Sequence, residues 1–218
     1  MSAIDYQRLY EYRFDGIDQA ARVNVWFEIS QYVYETLGRP ECVLDPAAGR
    51  CEFISSVPAR ERWAVDEVAY PEAVADSGLT TVTADVLEAD LPRDYFDGIF
   101  VSNFLEHLPD QQTVGRFLSR MLEVTRPGGR IAVLGPNFRY CAKHYFDCAD
   151  HSVALSHVAV AEHLHAAGFT VTRITPRFLP YSFRGVFPAS ARLTHAYLRF
   201  PPAWRLLGKQ FLVVAEKR

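Results

Sequence analysis

Apolar residues between positions 17 and 37 fall at Ala20, Val23, Phe27, Val33 and Leu37 with polar residues between them, which predicts one helix or a broken pair. Gly38-Arg39-Pro40 stops it. From residue 41 short apolar runs alternate with amphipathic stretches. The runs 41–45, 62–66, 79–84, 96–101, 130–134, 169–175 and 210–215 predict strands, and 51–57, 70–76, 111–125 and 158–167 predict helices between them. Arg126-Pro127-Gly128-Gly129 ends the helix 111–125 and reverses the chain, and Gly168 ends 158–167. The stretch 135–156, rich in His, Asp and Tyr, reads as an irregular segment outside the core. Strands alternating with helices predict an α/β fold, a mostly parallel sheet with helices on both faces.

At 218 residues the chain has the size of one large domain with a proper core. With 49% hydrophobic and 22% charged residues and no apolar run of bilayer length, it has the composition of a soluble globular protein without a transmembrane segment. Met1-Ser2-Ala3-Ile4-Asp5 lacks the basic start and apolar core of a secretory signal, so the expected compartment is cytoplasmic. Cys42, Cys51, Cys141 and Cys148 form no C-x-x-C pair and are expected as free thiols.

The net charge of -3 divides unevenly: from Pro176 to Arg205 there are five arginines and no acid, +5 against -8 for the remainder. An anionic ligand or surface suits such a segment, and so do five solvated arginines on a lid. Nucleic acid is not expected, because the overall charge is negative and no recognition module is present.

Chemistry first shows in Val43-Leu44-Asp45-Pro46-Ala47-Ala48-Gly49-Arg50 and in Asp66, which ends Trp63-Ala64-Val65-Asp66. An apolar run ends on an acid and enters a turn of small residues; a second run, about 20 residues on, ends on another acid. That is how an open α/β sheet holds an adenosine-containing ligand, the later carboxylate accepting from ribose hydroxyls. No G-x-G-x-x-G is present, so a dinucleotide pyrophosphate is not what the turn suits.

The order of motifs resembles the class I S-adenosylmethionine-dependent methyltransferases of the small-molecule type. Residues 43–51 look like their first motif, Asp66 like their ribose acid, Ala84-Asp85-Val86 like their adenine step, and 96–103 like their fourth strand. Thr125-Arg126-Pro127-Gly128-Gly129 resembles the turn before their fifth strand. The first motif departs from the usual D-x-G-x-G-x-G, keeping only its central glycine, Gly49. The resemblance implies a Rossmann-like, doubly wound, seven-stranded sheet whose last strand is antiparallel. It implies one methyltransferase domain over 1–218, with a helical cap at 1–40, a core of 41–175 and 209–218, and a substrate-shaping insertion at 176–208.

It also implies S-adenosylmethionine as cofactor. Asp45 then lies near the methionyl amino group, with Ala47 and Gly49 lining the turn. Asp66 takes the ribose hydroxyls, Asp85 and Val86 meet the adenine, and Asn103 and Phe104 line the methionyl tail. Gly49 is the position expected to tolerate a side chain least. For each acid the plain alternative is a helix cap or loop carboxylate. Tyr6, Tyr10, Tyr12 and Arg13 are expected to fold over the cofactor or to pack on the sheet.

The expected activity is methyl transfer to O or N of a small-molecule acceptor, a secondary metabolite or a sugar, of anionic or aromatic character. Positioning supplies most of such catalysis, and a protonated acceptor adds the need for a base. His107, just beyond the fourth strand, and His151 are the candidate bases, with His144, Tyr145, Asp147, Asp150 and His157 crowding the loop after the fifth strand beside His151. Asn103-Phe104-Leu105-Glu106-His107 also resembles the E-x-x-E-H arrangement of metal-holding family members; Asn103 replaces the first glutamate, and no metal is assigned. The insertion 176–208 equally suits a lipid head group at a membrane surface or a homo-oligomer interface. Two other functions stay open: a non-catalytic methyltransferase-like binding protein and a metal-assisted RNA-end methyltransferase.

Overall fold

The computed structural model describes residues 8–9, 12–13, 15–16, 18–68, 78–181 and 190–218. Strands β1 (Cys42–Asp45), β2 (Glu61–Asp66), β3 (Leu79–Thr83), β4 (Phe96–Ser102), β5 (Thr125–Pro136), β6 (Thr170–Thr175) and β7 (Gln210–Glu216) form one sheet in the order β3-β2-β1-β4-β5-β7-β6. β7 runs antiparallel to both its neighbours, and the remaining pairs are parallel. The sheet is thus Rossmann-like and doubly wound, with the antiparallel last strand that was expected.

Helices cover both faces. α1 (Gln19–Thr36) is capped by Asp18 and buries Val25, Trp26, Ile29 and Val33 on one face. α2 (Gln111–Val124) carries apolar residues at Val114, Phe117, Leu118 and Met121, a helical stripe that enters the core of the other face. α3 (Phe138–Tyr145) follows β5. α4 (His157–Ala167) lies beside α2, capped by Ser156 and ending at Gly168. α5 (Ala191–Leu198) and α6 (Pro201–Leu207) pack on the α1 side, where Leu198 and Trp204 join its core.

Three expectations change. Residues 51–57 form successive turns rather than a helix: Cys51 starts them at φ 61°, and the Ser55 N–H reaches the Cys51 carbonyl while the Ser56 N–H reaches only back to Phe53. Pro58 then removes the next donor. The stretch 135–156 is neither irregular throughout nor outside the core. It holds α3, and Cys141, Tyr145, Asp150, Val153 and Leu155 are buried. Tyr145 is buried because its hydroxyl donates to the Val153 carbonyl (2.8 Å) and accepts from the Leu155 N–H (3.2 Å). The turn at 126–129 leads straight into β5, so no separate loop follows α2. Gly129 is required there, since a Cβ would stand 2.9 Å from the carbonyl oxygens of Arg126 and Phe96. The helix expected at 70–76 falls wholly outside the described residues. All four cysteines are free thiols; Cys148 is the half-buried one.

Candidate active site

Between β1 and β4 the chain order reverses, β2 lying on one side of β1 and β4 on the other, so a crevice opens at the carboxyl ends of these strands. Asp45 ends β1 there, 2% exposed, and its Oδ1 has no partner among the described residues. Burial pushes its carboxyl up to about 8 against the opposing pull of the Ala47 backbone N–H. The following turn is tight. The Ala48 N–H donates to the Val65 carbonyl (3.0 Å), and the Cys51 N–H donates to the Ala48 carbonyl (2.8 Å).

Asp66, at the end of β2, closes this turn from the side, its Oδ2 accepting from the Gly49 N–H at 2.7 Å and its Oδ1 from the Val68 N–H at 3.0 Å. Gly49 has φ 49°, and a Cβ there would meet nothing within 4 Å, so the left-handed backbone rather than crowding by the protein disfavours a side chain. Cys51 (φ 61°) and Asn103 (φ 48°) hold the same left-handed region with full side chains, a concentration of strain at the crevice. The Asn103 N–H donates to the Leu134 carbonyl at 2.9 Å, and the Phe104 ring packs against Phe117.

The donor set fits S-adenosylmethionine. A dry carboxylate with an unpartnered oxygen suits an ammonium group, and a strand-end carboxylate that keeps lone pairs beyond two backbone N–H bonds suits ribose hydroxyls. Asp85 is exposed and its Oδ1 accepts from the Leu87 N–H at 2.9 Å, the local loop role that was the plain alternative for it. Val86 beside it is buried.

A second cluster stands just beyond β4. A 3₁₀ turn, Leu105–His107, carries Glu106 and His107. The Glu106 carbonyl accepts from the Ser152 and Val153 N–H groups (2.8 and 3.2 Å), and these bonds bring the loop after α3 onto the turn. His107 Nδ1 consequently lies 3.1 Å from the Asp150 carbonyl oxygen and 3.3 Å from Asp150 Oδ2. Two oxygens beside Nδ1 assign the ring hydrogen to it and leave Nε2 as the lone-pair nitrogen. Asp150 is itself buried and gripped by both terminal nitrogens of Arg13, NH1 donating to Oδ2 at 3.1 Å and NH2 to Oδ1. Burial opposes the charge on Asp150, but the Arg13 hydrogen bond, the adjacent His107 ring and the Arg13 charge outweigh it and hold the carboxyl below its ordinary range.

His151 packs its ring 4.9 Å from those of His107 and Tyr145, with Nδ1 buried and unpartnered among the described residues. Burial, joined by the nearby His107, pushes it down to about 4, so it is neutral at physiological pH. Glu106 is fully buried and raised by burial to about 6. One ligand atom from each of Glu106, His107 and His151 lies within 4.8 Å of the others.

The other loop residues are not part of this cluster. His144 pairs with Asp147 on the surface (3.1 Å), and His157 bonds to Asn137 (2.9 Å). Arg13 pairs with Asp150, Tyr12 is 83% exposed, and Tyr6 and Tyr10 lie outside the described residues. Of the insertion 176–208, α5 and α6 lean on α1. Tyr32 of α1 faces the Phe178 and Trp204 rings at 5.1 and 5.9 Å, and residues 182–189 are outside the described set. Asp150 as the partner of His107 was hidden in the sequence, its one hint being adjacency to His151.

Residues 47–133 match the model of a methyltransferase domain. No curated protein matches the chain. The fold is similar to a SAM-dependent methyltransferase from Archaeoglobus fulgidus (19% identity, 98% of this chain and 100% of that one, TM-score 0.64). It is also similar to the 1,6-didemethyltoxoflavin-N1-methyltransferase of Burkholderia thailandensis, solved with 1,6-didemethyltoxoflavin and S-adenosylhomocysteine (23% identity, 100% and 91% covered, TM-score 0.60). The [4+2]-cyclase SpnF shares it as well (14% identity, 88% and 80% covered, TM-score 0.61), so the fold alone does not name the reaction.

Proposed function

We propose that the chain is a class I S-adenosylmethionine-dependent methyltransferase that transfers the methyl group to an oxygen or nitrogen of a small-molecule acceptor with His107 as general base. The observation that carries this reading is the His107–Asp150 pair standing four residues beyond Asn103, on the turn that leaves β4. Bound at the crevice, the cofactor supplies a methyl group activated by its sulfonium. Asp45 holds the ammonium end, Asp66 the ribose, Ala47 and Gly49 line the passage between them, and Asn103 and Phe104 border the methionyl tail. Asp85 and Val86 border the adenine in this reading.

The Asp150 backbone carbonyl accepts the Nδ1–H hydrogen bond of His107 and fixes the ring, with the Asp150 carboxylate beside the same nitrogen at 3.3 Å, an orienting role like that of the carboxylate beside a catalytic histidine. Nε2, 3.9 Å from Glu106 Oε1, would then take the acceptor's proton and leave the acceptor's oxygen or nitrogen lone pair to receive the methyl group that bound S-adenosylmethionine would supply. His151, lowered to about 4, is too weak a base for this task near neutrality and serves better as a wall against which His107 rests.

The test is transfer of isotope-labelled methyl from S-adenosylmethionine to a panel of hydroxylated and amino metabolites, together with calorimetry on S-adenosylhomocysteine. Tight binding and labelled product support the reading. Absence of S-adenosylhomocysteine binding overturns it, and binding without any transfer favours the non-catalytic alternative.

The Glu106, His107 and His151 cluster favours a second reading, metal-assisted transfer, in which these side chains would hold a divalent ion through oxygen and nitrogen. Activity abolished by EDTA and restored by a divalent ion selects it; activity unchanged by EDTA selects the base.

A further inference from the structure

α5 and α6 carry a surface that neither the cofactor crevice nor the core uses. Arg199, Phe200, Pro201 and Pro202 are exposed in succession, and one turn later Arg205, Leu206 and Leu207 are exposed as well. Phe200 is 60% and Leu206 78% accessible to solvent. The scaffold beneath them is firm. Trp204 is buried and its Nε1 donates to the Tyr197 carbonyl (2.8 Å), and the Tyr197 hydroxyl donates to the Phe178 carbonyl (2.6 Å). Arg177 caps the end of α6 through the carbonyls of Gly208 (2.8 Å) and Leu206 (3.0 Å). These apolar tips are therefore held outward on a fixed base, not left there by a frayed segment.

The charge carried by this stretch of chain is of one sign. From residue 163 to residue 215 the chain contains no Asp or Glu. Arg177 is used as a cap, whereas Arg192, Arg199 and Arg205 are exposed and make no ion pair among the described residues. Among the described residues, Glu28 of α1 reaches this unit and accepts from His195 at 2.7 Å. Apolar side chains protruding between arginines match the layering of a lipid–water interface: the hydrocarbon tips enter the acyl boundary while the longer guanidinium arms stay at the phosphates. A protein partner would instead call for an apolar centre with a polar rim.

From this geometry we infer that the α5–α6 unit is a docking surface for an anionic lipid bilayer. Binding is peripheral: among the described residues no helix is long and apolar enough to cross a membrane. The unit lies between β6 and β7, in the connection that leaves the sheet at the carboxyl end of β6, the edge from which the cofactor crevice also opens. The inference rests on surface chemistry alone and is independent of the role given to His107.

The experiment is flotation of the full chain with vesicles of phosphatidylcholine alone or with about one third phosphatidylglycerol. The expected result is partition onto the anionic vesicles at least ~10-fold above the neutral ones, lost when the ionic strength is raised to about 1 M. Arg199→Gln with Arg205→Gln, and separately Leu206→Ser with Leu207→Ser, each lower that partition about 10-fold, with the unfolding midpoint and S-adenosylhomocysteine affinity as checks on the fold. Val158→Ser, an exposed apolar position on α4, leaves it unchanged. Equal partition onto both vesicle types, or full partition by both double variants, overturns the inference. So does self-association of the wild type that Leu206→Ser abolishes while no vesicle is bound.

Discussion

Asp66 Oδ2 accepts a 2.7 Å hydrogen bond from the Gly49 backbone N–H, joining the end of the second strand to the turn after the first. The carboxylate is therefore part of the turn's own architecture as well as the candidate ribose contact. Gly49 at φ 49° points its N–H at Asp66, and the Val68 N–H on the other oxygen keeps the carboxylate from rotating away. The two roles separate by substitution.

Asp66→Asn keeps an oxygen for the Gly49 N–H, gives up the acceptor for the exposed Val68 N–H, which water can satisfy, and removes the charge that strengthens bonds to hydroxyls. We expect near-wild-type thermal stability and S-adenosylhomocysteine affinity weaker by about 10-fold, the loss of one charge-assisted bond of roughly 1.5–3 kcal/mol offset in part by the amide. Asp66→Ala loses the turn as well, and its unfolding midpoint falls too. Equal affinity in wild type, Asn and Ala variants by calorimetry would remove Asp66 from the cofactor site.

His107→Ala should lower kcat by about 10²–10⁴-fold with cofactor affinity retained, the range for loss of a general base. His151→Ala should cost far less, because a histidine lowered to about 4 by burial carries no proton to exchange near neutrality. Steady-state kinetics on an acceptor found by label transfer decide this. A larger loss for His151→Ala than for His107→Ala would reverse the assignment.

How far these residues could be read from the chain depends on the range of the interaction. β1, β2 and β4 are short apolar runs ended by a polar residue, and the α2 stripe Val114, Phe117, Leu118 and Met121 is local periodicity, so both were legible. Asp45, Asp66 and Asn103 followed, because their places are strand ends. Burial of Asp150 was not legible, since what permits it is Arg13, 137 residues away. Nor were the turns at 51–57, where a left-handed Cys51 replaces the helical start that Phe53, Ile54 and Val57 suggest. Likewise the aromatic content of 176–208 suggested a substrate wall, whereas Phe178 and Trp204 are core against α1.

Arg13→Ala leaves the buried Asp150 carboxylate without its partner. Removing one member of a fully buried pair costs 3–5 kcal/mol, and because the Arg13 side chain is 25% exposed we expect roughly 1–3 kcal/mol. The pH dependence has a definite sign. Asp150 is held below its ordinary value in the folded protein, so it contributes stability above that value and loses it as acid titrates the folded carboxyl. Denaturant unfolding from pH 7 to pH 3 should therefore show a shallower acid decline for Arg13→Ala than for wild type. Parallel curves would mean that Arg13 does not hold the Asp150 carboxyl below its ordinary range.

Asp45 titrates in the opposite sense. Burial raises its carboxyl to about 8, so between the ordinary carboxylate range and that value the folded chain binds a proton that the unfolded chain has released. Stability contributed by the group falls as pH rises through this window and is flat above it. Asp45→Asn, which keeps the shape and removes the titration, should match wild type near pH 5 and exceed it near pH 8. The gap should be about 1–3 kcal/mol, the cost of a buried polar group left unpaired, or ~2–4 °C in unfolding midpoint for each kcal/mol. A cationic ammonium beside Asp45 reverses the preference by favouring the carboxylate, so S-adenosylhomocysteine binding near pH 7 should release a proton. Calorimetry in two buffers of different ionisation enthalpy measures that proton directly. Wild type should release a fraction approaching one, and Asp45→Asn should release none from this site while binding more weakly. Equal proton release by both proteins would place the ammonium elsewhere and leave Asp45 as a purely structural acid of the turn.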